Sequence, residues 1–152
     1  MSEQARILVI DDDESIREVL TSILEDKGYI VDTAENGKEA IKKLEAEFYN
    51  LALVDIRLPD MEGTKLLTAV KETSPRMVKI IITGYPSLQN TIEAINKGAD
   101  GYIVKPIKVE SLLDTIKEHL KKQQEAKTYN QEKIKEFIET RVRELETTGK
   151  PS

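Results

Sequence analysis

The sequence predicts a doubly wound α/β domain, a five-stranded parallel sheet with helices on both faces. Three observations carry this. Short apolar runs alternate along the chain with stretches of helical periodicity. The strongest runs, Ile7-Leu8-Val9-Ile10, Leu51-Ala52-Leu53-Val54 and Ile80-Ile81-Ile82, are continuously apolar rather than alternating, as strands buried on both faces require. Each run also ends in chemistry-bearing residues: Asp11-Asp12-Asp13 after the first, Asp55 after the second, Thr83 after the third. A further run, Tyr102-Ile103-Val104, ends in Lys105-Pro106.

The elements follow in order. After the first strand, Ile16, Val19, Leu20, Ile23 and Leu24 recur at helical spacing and mark one apolar face. Asp13 is expected to cap this helix rather than bind a metal, and Gly28 to stop it. Tyr29 to Ala34 is a weaker strand. Asn36 then serves as N-cap for a helix carrying Ile41, Leu44 and Phe48. After Asp55, the proline and glycine of Leu58-Pro59-Asp60-Met61-Glu62-Gly63 mark a loop. A helix with Leu66, Leu67 and Val70 follows, ended by Ser74-Pro75. Beyond Thr83 and the Gly84-Tyr85-Pro86 loop, a helix carrying Leu88, Ile92 and Ile95 runs to Gly98. The last helix of the domain carries Val109, Leu112, Leu113, Ile116 and Leu120. The expected division is a domain over residues 1–120 and a helical extension or linker over 121–152.

Bulk properties narrow the class. A chain of 152 residues is one domain of ordinary size. No apolar stretch approaches a membrane span, and Met1-Ser2-Glu3-Gln4 lacks the character of a signal peptide. Zero cysteines exclude disulfides and thiolate metal sites, so the cytoplasm is the expected setting. Residues 1–120 carry a net charge of −7 and residues 121–152 a net of +2. The acidic body argues against direct nucleic-acid binding, which needs a basic face.

In a parallel sheet of this kind, ligands bind outside the carboxyl ends of the strands. That edge would hold three acids, a hydroxyl and an ammonium. Magnesium favours hard oxygens, usually one or two carboxylates with waters and a substrate phosphate. Asp12 and Asp55 suit direct ligation, and Asp11 suits holding a metal-bound water. Clustered carboxylates repel one another, and a divalent cation removes that conflict. An aspartate can act as nucleophile toward phosphorus and form an acyl phosphate. Lys105 supplies a point charge and Thr83 a hydroxyl donor for phosphoryl oxygens.

Taken together, Ile-Leu-Val-Ile-Asp11-Asp12, Leu-Val-Asp55 with Leu58-Pro59-Asp60-Met61-Glu62-Gly63, Ile-Ile-Thr83-Gly84 and Gly101-Tyr102-Ile-Val-Lys105-Pro106 resemble the receiver domains of two-component response regulators. The resemblance covers roughly residues 5–120. It implies a flavodoxin-like fold with strand order 2-1-3-4-5. It implies that Asp55 is the phosphoacceptor, with a magnesium (or manganese) ion held by Asp11, Asp12, Asp55 and the backbone carbonyl of Arg57. Thr83 and Lys105 would hold phosphoryl oxygens, Tyr102 would be the aromatic switch, and the bond before Pro106 would be cis. The donor would be a phosphohistidine of a sensor histidine kinase or phosphotransfer protein. Output would be protein–protein contact through the fourth helix, fifth strand and fifth helix. Arg57 and Tyr85, two residues beyond Asp55 and Thr83, would flank the path of the hydrolytic water, and their bulk suggests slow dephosphorylation.

Two other classes compete: a phosphate-independent scaffold on the same face, and a magnesium-dependent aspartyl-phosphate hydrolase. The intact Asp12, Asp55, Thr83 and Lys105 speak against the first. Arg57, standing where a second acid/base carboxylate would be needed, speaks against the second. His119 reads as a surface residue rather than a phosphotransfer histidine. In the tail, Ile134, Ile138, Arg141 and Leu145 follow 4-3-4 spacing with Phe137 and Val142 beside them. This suits either a short homodimer seam or a solvated, frayed helix. Gly149-Lys150-Pro151-Ser152 reads as a flexible end or a truncation point.

Overall fold

The computed structural model describes residues 4–70 and 76–148. Five strands, β1 (Arg6–Ile10), β2 (Ile30–Ala34), β3 (Leu51–Asp55), β4 (Val78–Thr83) and β5 (Gly101–Val104), alternate with five helices. The helices are α1 (Glu14–Asp26), α2 (Gly37–Ala46), α3 (Gly63–Ala69), α4 (Leu88–Asn96) and α5 (Val109–Thr148). All strand pairs are parallel and the order is β2-β1-β3-β4-β5, as the resemblance implies.

Strand side chains alternate between faces, so each central strand feeds two cores. Leu8, Ile10, Ala52, Val54 and Ile81 point to one face, where Ala40 of α2, Leu66 and Leu67 of α3 and Ala94 of α4 cover them. Ile7, Val9, Leu51, Leu53, Ile80 and Ile82 point to the other, against Leu20 and Leu24 of α1 and Leu112 and Ile116 of α5. The central strands β1, β3 and β4 are buried almost throughout, which is why their sequences are continuously apolar. The edge strands β2 and β5 are half-exposed, which explains the weaker signal at β2.

Local sequence sets the helix ends. The Asp13 carboxylate accepts from the backbone N–H groups of Ser15 and Ile16, so Asp13 caps α1 as its position suggested. Asn36 likewise accepts from Glu39 N–H. Gly28 and Gly98 take φ of 89° and 102° just past α1 and α4, a left-handed turn that glycine adopts without a Cβ clash. The predicted stop of the third helix at Ser74-Pro75 lies outside the described residues. The same holds for the expected flexible end at 149–152 and for residues 1–3.

One cap reaches across the chain. The Asp60 carboxylate accepts from Gly37 N–H at 2.8 Å and Lys38 N–H at 2.9 Å, so the loop after β3 binds the start of α2. Those two bonds hold the Asp60 carboxyl below its ordinary pKa. A lowered folded-state pKa contributes stability that is present above the unfolded value of about 3.9 and lost as pH falls through the folded value. Asp60→Ala is therefore expected to unfold at a lower temperature at neutral pH and to lose less stability than wild type on acidification. Parallel melting curves for the two proteins between neutral and acid pH would refute this.

Two helices depart from the expected burial. On α4, Leu88, Ile92 and Ile95 are exposed and only Ala94 is buried. The apolar stripe is real, but the small face of the helix, not the stripe, packs on the sheet. On α1, Val19 is exposed beside a groove of about 320 Å³ that it lines with Ile16, Ile23, Pro106 and Val109. His119, expected at the surface, is half-buried, and a Cβ built on Gly101 would stand 3.5 Å from its ring. Finally, α5 runs unbroken through the expected boundary at residue 120. Gln123 makes its hydrogen bonds to the body, donating to the carbonyls of Asn50 and Arg76 at 2.9 and 2.8 Å.

Candidate functional site

The parallel register brings the carboxyl ends of β1, β3, β4 and β5 to one edge. Carboxylate oxygens of Asp11, Asp12 and Asp55 lie there within 4.8 Å of one another. Asp11 and Asp55 are buried and Asp12 is exposed, so the cluster has one open side. Lys105 reaches in from the end of β5. Its Nζ stands 3.2 Å from Asp11 Oδ2 and 3.5 Å from Asp55 Oδ2. The Lys105–Pro106 peptide is cis.

Short loops aim these groups. Asp55 Oδ1 accepts from Arg57 N–H at 3.1 Å, which turns the chain sharply after β3. Asp11 Oδ1 accepts from Asp13 N–H at 2.9 Å, and the Arg17 guanidinium donates to the Asp11 carbonyl at 2.7 Å. Thr83, fully buried, accepts from Tyr85 N–H through its hydroxyl oxygen at 2.9 Å. Gly63 permits the closest approach. A Cβ there would lie 2.3 Å from the Asp55 carbonyl oxygen, and Gly63 N–H donates to the Ile56 carbonyl at 2.8 Å.

The electrostatics follow from crowding. Burial raises the Asp55 carboxyl above its ordinary pKa; the Arg57 N–H opposes this, while the charge of Asp11 adds to it. For Lys105, burial disfavours the ammonium, but Asp11 and Asp55 more than offset it, and the group titrates above its usual range.

The remaining predicted residues surround this centre. The Arg57 guanidinium lies over the Tyr85 ring at 4.2 Å from its centroid, a cation–π contact between the residues that follow Asp55 and Thr83 by two. Tyr102 is half-buried against the core, and its hydroxyl is buried with no hydrogen-bond partner among the described residues. Two features escaped the sequence reading: the Asp60 clamp on α2 and the Arg57–Tyr85 stack. Each joins residues more than twenty positions apart, and no local signal marks such pairs.

A doubly wound sheet that gathers three carboxylates, a hydroxyl and an ammonium at its carboxyl edge defines a compact acidic-pocket α/β domain. The chain belongs to the response regulator receiver domain family, whose model matches residues 7–117. It is 37% identical over 118 residues to the transcriptional regulatory protein ZraR of Klebsiella oxytoca, covering 78% of this chain and 27% of that protein. It is 35% identical over 112 residues to the transcriptional regulatory protein DltR of Streptococcus agalactiae, covering 74% of this chain and 50% of that one. The match thus spans between a quarter and a half of these relatives. Among solved structures, a CheY-like receiver domain protein from Methanospirillum hungatei is similar at 48% identity. Its TM-score is 0.78, with 82% of this chain and 99% of that chain covered. A beryllofluoride-activated NtrC4 receiver domain dimer is similar at 42% identity and TM-score 0.73, covering 78% and 98%. No helix among the described residues is long and apolar enough to cross a membrane.

Proposed function

We propose that this receiver is a cytoplasmic, magnesium-dependent phosphorylation switch with Asp55 as its phosphoacceptor. The observation that carries the reading is the meeting of Asp55 with Asp11, Asp12 and Lys105 at one sheet edge. Three carboxylates this close, matched by one ammonium, fit a hard divalent cation. Asp11, Asp12 and Asp55, with the Arg57 carbonyl, would hold magnesium or manganese. The bound ion would neutralise the acids and the phosphoryl oxygens.

The chain's own groups then divide the work. An Asp55 carboxylate oxygen attacks phosphorus of a kinase or phosphotransfer-protein phosphohistidine. The P–N bond breaks, its electron pair returns to the imidazole, and an acyl phosphate remains on Asp55. Lys105 supplies positive charge to a phosphoryl oxygen, and Thr83 its hydroxyl, as transfer depends mainly on positioning and charge. Drawing the Thr83 hydroxyl toward phosphate would free space for Tyr102. Tyr102 lies half-buried against the core, where its ring would turn inward as Thr83 moves. Output would then pass to a protein partner through α4, β5 and α5, where Leu88, Ile92, Ile95 and Val104 stand exposed.

Incubation with magnesium and acetyl phosphate tests this reading. Wild type should label stoichiometrically and stably, and Asp55→Asn should not label, while Asp13→Asn should label as wild type. Absence of labelling would favour a phosphate-independent scaffold, and sustained turnover of phosphomonoesters a hydrolase. A second expectation concerns lifetime. Arg57 and Tyr85, stacked on each other, would flank the path of a hydrolytic water, so Tyr85→Ala should shorten the acyl-phosphate lifetime several-fold. An unchanged decay of the isolated phosphoprotein would end that idea.

A further inference from the structure

Past Lys127, α5 leaves the body of the domain. From Thr128 to Glu146 every side chain is exposed, and these include Ile134, Phe137, Ile138, Val142 and Leu145. At 100° per residue those five fall on one stripe, with Arg141 inside it and held by Glu144 at 3.2 Å. Tyr129, the other exposed large apolar residue of this segment, lies on the opposite side, where Lys133 stands 5.5 Å from its ring centroid. An uncovered apolar stripe on a projecting helix calls for a partner helix, since isolated helices are marginal in water.

The charges flanking the stripe select the partner. One flank carries Lys135 and Glu146, and the other carries Lys133, paired with Glu136 of its own helix at 3.6 Å, and Glu144, paired with Arg141. Two parallel, in-register copies would set Lys135 against the partner's Lys133 and Glu146 against the partner's Glu144, like against like. Two antiparallel copies bring identical flanks together. Lys135 then lies within about 3 Å of axial offset from the partner's Glu146, and Lys133 from the partner's Glu144. The two-fold axis doubles each pair, giving four interchain ion pairs. In the same register Ile134 meets the partner's Leu145, and Ile138 packs beside the aliphatic stem of the partner's Arg141. Residues 128–146 hold five acidic and four basic side chains, so no basic face is offered to an anionic lipid surface.

We infer that residues 133–146 pair with a second copy of this chain as an antiparallel two-helix seam. The receivers sit at its opposite ends, with their last contacts at Gln123 about 50 Å apart at 1.5 Å per residue. Pairing is therefore independent of Asp55 phosphorylation.

Sedimentation of the unphosphorylated 152-residue chain and of Asp55→Asn should both report dimer. Ile138→Asp should weaken association on the order of 100-fold by burying a carboxylate in the seam. Its receiver melting temperature should stay unchanged, which separates lost pairing from lost folding. Because the chain has no cysteine, introduced ones read orientation directly. Oxidising a mixture of Ile134→Cys and Leu145→Cys chains should give a crosslinked heterodimer. Each variant alone should stay uncrosslinked, its two sulfurs being held about 16 Å apart along the seam. Self-crosslinking of either single variant would overturn the antiparallel arrangement. A monomeric wild-type chain would overturn the pairing altogether.

Discussion

Lys105→Ala should lower the rate of Asp55 labelling by acetyl phosphate about 100-fold or more, the usual cost of removing one preorganised charge donor from a transfer site. The ammonium lies within ion-pair distance of both Asp11 and Asp55, so one substitution removes the countercharge of two buried acids. In the absence of metal, that loss should push the Asp55 carboxyl further up and weaken the folded state. Magnesium should then stabilise the variant more than it stabilises wild type, because the cation takes over neutralisation. Lys105→Arg keeps the charge but replaces a compact point donor with a planar fork, and should recover only part of the rate. Melting curves with and without magnesium, run beside the labelling assay, separate the two effects. Equal labelling rates in wild type and Lys105→Ala would contradict the assignment.

Among the described glycines, Gly63→Ala should be the most damaging substitution. The added carbon meets the Asp55 carbonyl oxygen at 2.3 Å and Ile56 Cα at 3.0 Å, both backbone atoms that cannot rotate aside. Either β3, which ends in Asp55, shifts or α3 does. A loss of about 2–4 kcal/mol is expected, or roughly 5–15 °C in Tm, together with slow labelling because Asp55 moves with its carbonyl. Gly101→Ala supplies the contrast. There the new carbon would meet the side chains of Ile80 at 3.3 Å and His119 at 3.5 Å, which can yield. Thermal melts of the two variants that matched would show that backbone crowding at Gly63 is not what constrains it.

The central strands and their terminal residues were legible in the sequence because burial on both faces leaves a continuous apolar run, and the run's end marks the sheet edge. Asp13 and Asn36 were legible as caps because capping is local. Helix faces were less so. Periodicity shows that α4 has a stripe of Leu88, Ile92 and Ile95, but not that Ala94 would face the sheet instead. Pairings across the chain left no trace in either partner's neighbourhood, and so the Asp60 bonds to Gly37 and Lys38 and the contact of Arg57 with Tyr85 emerged only from the fold. The roles carried by resemblance, such as the cis bond before Pro106, could not have come from spacing at all.

The continuity of α5 has a mechanical consequence. Beyond Gln123 the helix extends for about 37 Å at 1.5 Å per residue, and it is rooted in the core by Leu112 and Ile116. With its far half held in the seam with a second copy, a helix of this length couples its root to that seam. A tilt of about 5° at its root, too small to disturb core packing, would carry the tip sideways by about 3 Å over that length. Any rearrangement around Tyr102 and β5 that leans on α5 is therefore read at its far end as a displacement comparable to a side chain's width.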